Sequence, residues 1–290
     1  PAEPADSKLY LTVKHTAYPV RQFIGLYWAY LGPEPVPEIP PYDLWVRQDG
    51  RRSVHVQPRL DCNWLQPMEN SVDPSHSRVL HADVVMRRGG PPLANTTRGL
   101  TDDVEYFEFS EVSVGIMKKR VSKNGHVDEH PLVFPNILRH GNDTQIRVPI
   151  DDTHTQVFFV HFVPNPDGSL TEEDESVLPV TYFEHYKAPV SELHPFTHFT
   201  MHDVQPQDHM AWETQGPIAT RANERLATAD RGIVMLREML KREIEKVQAG
   251  IEPINVYRDP SRPTVDTNHS VQMGEWAEIN RGRGRAAAQV

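Results

Sequence analysis

Cysteine occurs once in these 290 residues, at Cys62. A single thiol excludes an internal disulfide framework and a zinc site built on several thiolates. It also excludes a complete iron–sulfur centre, since even the cluster type that takes two histidines needs two cysteines. Long apolar runs are missing as well: nothing approaches the ~18 consecutive apolar residues of a membrane-spanning helix. Basic charge is in deficit, with 30 Lys+Arg against 40 Asp+Glu and a formal net charge of -10. No basic face is left to neutralise a phosphate backbone, so nucleic acid is not the expected partner. The opening Pro1-Ala2-Glu3-Pro4-Ala5-Asp6 lacks the basic-then-apolar pattern of a secretory signal, and the expectation is a soluble cytoplasmic protein.

Proline and histidine are plentiful. Of the 26 prolines, a dense group runs from Pro33 to Pro41, where missing N–H groups favour extended chain over sheet. Residues 32–45 therefore read as a linker, and residues 1–31, with a short apolar strand over 22–31, as the end of something upstream. Beyond the linker, Val54, Val56, Pro58 and Leu60 alternate with Ser53, His55, Gln57 and Arg59, the pattern of a half-buried strand. Val104–Phe109 with Val112–Lys118, and Arg147–Ile150 with Gln156–Val163, read as two strand pairs. The stretch Val157–Val163 is apolar on both faces, as in a strand covered on both sides. From Ala222 onward, Leu226, Ala229, Ile233, Leu236, Leu240, Ile244 and Val247 recur at helical steps. Pro217 suits the first turn of that helix, and Gly250 with Pro253 ends it. The predicted architecture is α+β: an antiparallel sheet wrapped around a long C-terminal helix over residues 46–258, followed by a flexible tail at 259–290.

Fifteen histidines make metal chemistry worth testing. The informative stretch runs from Leu60 to His81 and is predicted to be helical, with interruptions near Pro67 and Pro74. Asp73 and His76 are three apart and share a helical face. His76 and His81 are five apart, about 500° around a helix and so roughly 140° out of phase, which predicts a break or helix end between them if they bind one ion. This is not the spacing of zinc proteases, and the glutamate of H-E-x-x-H is absent.

Two histidines alone are weak evidence, but their surroundings resemble a known pattern. Cys62-Asn63-Trp64, Glu69-Asn70 and Asp73-x-x-His76-x4-His81 closely resemble the mononuclear-iron motif of the Rieske non-haem iron aromatic-ring-hydroxylating oxygenases. Tyr18–Pro33 resembles the end of that family's Rieske domain. Phe134-Pro135-Asn136 and Arg147–Thr155 are similar to a strand pair of the phthalate-dioxygenase-like branch, and Gln207–Ile218 to the segment supplying a third iron ligand. The resemblance covers roughly residues 15–250. It implies a helix-grip fold, His76 and His81 as iron ligands, and Asp73 as the carboxylate linking the iron to the cluster of a neighbouring subunit. It also implies Asp208 as the third ligand, with Asp203 and Glu213 as competitors. Two imidazoles and one carboxylate on one face of Fe(II) leave positions open for O2 and substrate.

The same resemblance implies an oxygenase α subunit that hydroxylates or O-demethylates an aromatic, acidic substrate. Electrons would come from NAD(P)H through a reductase or ferredoxin and a Rieske [2Fe–2S] cluster, in a head-to-tail homotrimer. Here the chain departs from the family. The Cys-x-His and Cys-x-x-His pair of a Rieske centre is absent, so the expectation is a catalytic domain with residues 1–31 as the remnant of a Rieske domain, able to hold iron and substrate but not to turn over.

Several other residues fit either a functional or a structural role. Asn63, Glu69 and Asn70 are candidates for orienting the ligands, or helix caps. His130, Asn136, Phe158 and His161 are candidates for the substrate pocket, with core packing as the alternative. Arg139 and Arg147 suit either a substrate carboxylate or structural ion pairs. His194, His198 and His202 read as loop histidines because Pro195 opposes a regular helix, and Asn95-Thr96-Thr97 as an incidental match to a glycosylation acceptor. The rival readings are a non-catalytic helix-grip module binding a hydrophobic small molecule and, lower, a zinc hydrolase.

Overall fold

A computed structural model describes residues 3–87, 103–184, 186 and 204–267, with the backbone alone described at 82–87 and 175. The strands β1 (Val20–Phe23) and β2 (Leu26–Ala29) form a hairpin. A larger sheet holds β3 (Gly50–Val56), β4 (Val104–Val112), β5 (Gly115–Ser122), β6 (Val127–Val133), β7 (Ile137–His140), β8 (Asp143–Asp151), β9 (His154–Pro164) and β10 (Val180–Tyr182). Its order is β10-β3-β9-β8-β7-β6-β5-β4, and the pairing is antiparallel except between β10 and β3. The helices are the short α1 (Leu9–Thr12) and α2 (Asp43–Val46), then α3 (Leu65–Ser71), α4 (Ser75–Arg87), α5 (Val204–Glu213) and α6 (Arg231–Gln248). None of the described helices is long and apolar enough to cross a membrane.

The two predicted strand pairs form as β4–β5 and β8–β9, and the α+β expectation holds. Alternation along the strands divides the core. One face packs Ile146, Val160 and Phe162 around Trp45. The other turns Ile116 and Leu132 toward Met68 and Val72 of the α3 region and Leu236 and Met239 of α6. Gly232 lets α6 seat closely, because a Cβ there would stand 2.5 Å from the Val72 carbonyl oxygen and 2.6 Å from the Phe109 ring.

Three boundaries differ from expectation. The apolar stretch 22–31 is a hairpin, because Ile24 (φ 50°) and Gly25 (φ 73°) both take positive φ and reverse the chain. Ile24 is 1% exposed, so its burial beside Trp45 offsets a backbone conformation that β-branched residues rarely adopt. The last helix begins at Arg231 rather than near Ala222: the Asp230 carboxylate accepts the Ala227 N–H at 2.7 Å, and Pro217 lies in the turns after α5. Residues 259–267, expected to open the tail, are docked instead. Val265 exchanges backbone hydrogen bonds with Pro41 (2.9 Å) and Asp43 (3.0 Å), and the Thr267 hydroxyl donates to Asp43 at 2.6 Å. These contacts pin the proline-rich segment to the sheet, with Tyr42 and Trp45 buried.

Candidate metal centre

The chain between α3 and α4 breaks at Pro74, as predicted, whereas Pro67 is accommodated in the first turn of α3. Asp73 organises the start of α4: its Oδ1 accepts the Ser75 N–H at 2.7 Å and its carbonyl lies 2.6 Å from His76 Nδ1. α4 runs unbroken from Ser75 to Arg87, so the predicted break between His76 and His81 does not occur. The two imidazoles reach around the helix instead, with ring centres 5.3 Å apart and planes at 88°.

The carboxylate between them comes from α5. Asp208 Oδ1 lies 3.1 Å from His81 Nε2 and 3.9 Å from His76 Nε2, and one donor atom from each residue falls within 4.8 Å of the others. Both Nε2 atoms turn inward because the Nδ1 atoms are engaged: His76 with the Asp73 carbonyl, His81 with Gln207 Oε1 at 2.8 Å. An Nδ1–H donating to a fixed oxygen selects the tautomer whose Nε2 lone pair is free to ligate. Burial pushes the His76 imidazole below its usual pKa, against the pull of the Asp208 charge, which keeps it neutral and ligand-competent.

The set fits a cation. An ion bound at about 2.0–2.2 Å places neighbouring donor atoms about 3–4 Å apart, and 3.1 and 3.9 Å lie in that range. Asp208 Oδ1 is buried and accepts no hydrogen bond among the described residues, a costly state for a carboxylate oxygen unless a cation meets it. Two imidazoles with one carboxylate are the donors of the facial triad of non-haem Fe(II) sites.

The other predicted residues go elsewhere. Glu213 Oε1 accepts the Asp61 N–H at 3.1 Å, at the far end of α5 from Asp208, and Asp203 lies outside the described residues. Asn63 bonds the Asp152 carbonyl and caps Leu65, while Glu69 pairs with Arg221 and Arg237. The Asn70 carbonyl accepts the Asp73 N–H at 3.0 Å, and none of these three side chains is bonded to a histidine of the centre. Asn136 donates to the Arg147 carbonyl at 2.9 Å, joining the β6–β7 turn to β8. Phe158 packs with the Trp45 core, on the opposite face of β9 from Val157, Phe159 and His161. His161 pairs with Asp143, and His130 lies 3.1 Å from Asp128, both on the helix side of the sheet. Arg139 is a structural ion pair with Asp43 at 3.0 Å. Arg147 donates to Ser71 (2.6 Å) and Gln145 (2.9 Å), and burial lowers it to about 10. His194, His198, His202 and Asn95–Thr97 lie outside the described residues.

Sequence reasoning missed two residues. Gln207 orients His81, yet nothing in its spacing distinguishes it from a surface glutamine. Phe159 packs beside Val157 and Trp212 on the α5 side, but an all-apolar run hides which alternate positions face α5.

The chain is similar to several known proteins. Residues 192–272 match the family described as LigXa C-terminal domain like. The 5,5'-dehydrodivanillate O-demethylase oxygenase subunit of Sphingobium sp. (strain NBRC 103272 / SYK-6) is 34% identical over 86% of this chain and 57% of its own length. The phthalate 4,5-dioxygenase oxygenase subunit of Pseudomonas putida is 31% identical over 86% of this chain and 64% of its own. The tert-butanol monooxygenase / tert-amyl alcohol desaturase oxygenase subunit of Aquincola tertiaricarbonis is 30% identical over 98% of this chain and 63% of its own. The chain thus spans between 57% and 64% of the length of these curated relatives. The homologues of this chain are Rieske oxygenase subunits, and it is their catalytic portion that the chain, with two histidines and an aspartate brought together from two helices, is similar to.

Proposed function

We propose that this chain holds one mononuclear Fe(II) through His76, His81 and Asp208 and forms the oxygenating part of an enzyme that hydroxylates or O-demethylates an aromatic, acidic substrate. The observation that carries the reading is the convergence of the three donor atoms within 4.8 Å, which a plain ligand-binding module has no use for. When bound, the iron supplies the site at which O2 is activated. The protein's part is preorganisation. The Asp73 carbonyl and Gln207 hold the two imidazoles in the ligating tautomer, and α5 presents a buried carboxylate between them. Asp73 would link the centre to electrons arriving from outside, a role supported by its partly exposed Oδ2 lying 3.8 Å from His76 Nδ1.

Those electrons would originate from NAD(P)H and arrive through a reductase or ferredoxin and a [2Fe–2S] Rieske cluster, which a chain with Cys62 as its one cysteine cannot itself ligate. A head-to-tail homotrimer would bring the cluster of one subunit to Asp73 of the next. The test is anaerobic Fe(II) binding to the native chain, His76→Ala and Asp208→Ala. One equivalent bound by the native chain and lost in both variants is expected. Tight binding that survives Asp208→Ala would move the third ligand to another carboxylate, and no binding by the native chain would sink the reading.

A further inference from the structure

Facing the start of α4, strands β5 and β6 carry a charged cluster for which the metal reading has no use. Lys118 and Arg120 are each 7% exposed and share the face of β5 that Ile116 turns toward the helices. Lys118 stands across from His130, and Arg120 across from Asp128. Asp128 is bonded to the Arg120 guanidinium and lies 3.1 Å from His130 Nε2, so its single charge is taken. Lys118 forms no ion pair among the described residues, and Arg120 Nε is buried without a hydrogen-bond acceptor. These donors border a cavity of about 10 Å³, the room of one oxygen-sized group, whose other wall is Pro74 and Ser77. Pro74 and Ser77 flank His76 in sequence, and the Lys118 charge acts on the His76 imidazole, which sets the cavity near the candidate centre.

The charges do not balance inside this wall. Burial holds His130 and His140 below their usual range, so both are neutral, and it pulls Lys118 down to about 8. Asp128 is already shared by Arg120 and His130, and the other carboxylate acting on Lys118, the partly exposed Asp73, makes no ion pair with it among the described residues, so an arriving anion still finds a buried ammonium to meet.

We propose that the Lys118–Arg120 wall is an anion-recognition subsite of the substrate pocket, taking one carboxylate oxygen of an aromatic acid and selecting acidic over neutral substrates. This rests on the reading of His76, His81 and Asp208 as the reaction centre and adds the residues that choose the substrate class. Lys118 supplies the charge, and Arg120 Nε–H supplies a directed hydrogen bond.

The test is anaerobic calorimetric titration of the Fe(II)-loaded chain with 3-methoxybenzoate and with its neutral isostere 3-methoxybenzamide. The native chain is expected to prefer the carboxylate roughly 10- to 100-fold. Lys118→Met should abolish that preference and Lys118→Arg should restore most of it, with iron content equal in all three proteins. Equal binding of the two probes, no binding of either, or a preference that survives Lys118→Met overturns the proposal. Displacement of the carboxylate by an equal concentration of chloride would assign the cavity to small inorganic anions and overturn it too. A failure of the metal reading shows separately, as native chain that takes up no iron.

Discussion

Replacing Lys118 by methionine should stabilise the fold at neutral pH. Lys118 is 7% exposed, and burial lowers its ammonium from 10.5 to about 8. In the unfolded chain the group returns to its ordinary pKa of about 10.4. A lysine whose folded pKa lies below its unfolded one penalises the folded state at every pH below about 8. The penalty fades as pH rises from there toward 10.5, because the unfolded chain still binds the proton that the folded chain has released. At about 1.4 kcal/mol per pH unit the full penalty is about 3 kcal/mol. Methionine is unbranched and of similar length, so it fills the same space without the charge. Asp128 keeps Arg120 and His130 as partners in the variant.

Urea denaturation followed by tryptophan fluorescence should show Lys118→Met more stable than the native chain by about 1–3 kcal/mol at pH 7, with the difference shrinking severalfold by pH 10. A variant less stable at pH 7, or a gain unchanged at pH 10, would refute the view that burial of the Lys118 charge outweighs the pull of Asp128 and Asp73. A residue that costs the fold this much is more readily understood as serving a ligand than as serving stability.

Two further outcomes follow from particular contacts. Gln207→Ala removes the acceptor that fixes the His81 tautomer and should weaken Fe(II) binding by roughly 10- to 100-fold with the fold intact; an anaerobic titration that finds unchanged affinity would refute the orienting role. Asp43→Ala strands Arg139, 1% exposed, without its carboxylate. It should cost about 3–5 kcal/mol and loosen residues 259–267, which limited proteolysis would report as new cleavage near Val265. Unchanged stability and proteolytic resistance would show that this clip is dispensable.

Much of the site was legible in the linear order of residues because its pieces are local. Asp73, His76 and His81 lie within one helical segment, and the strand pairs β4–β5 and β8–β9 announce themselves by short turns between apolar runs. The amphipathic period also marked α6, although its start lay outside the reach of periodicity, because Leu226 is 40% exposed and belongs to the loop before the helix.

Some expectations failed where the outcome depended on a partner distant in sequence. Spacing on an ideal helix called for a break between His76 and His81. The tertiary structure needs none, because flexible side chains converge on a carboxylate delivered by another helix. Phe158 was a pocket candidate until sheet pairing put it on the Trp45 side, a choice of face that an unbroken apolar run does not encode. The sequence by itself determined the fold class, the Asp73-x-x-His76-x4-His81 spacing and the presence of a single cysteine. Only the tertiary structure decided that Asp208 rather than Glu213 meets the histidines, that Gln207 orients one of them, and that Lys118 is buried with no ion pair among the described residues, since each depends on which groups distant in sequence share a low-dielectric interior.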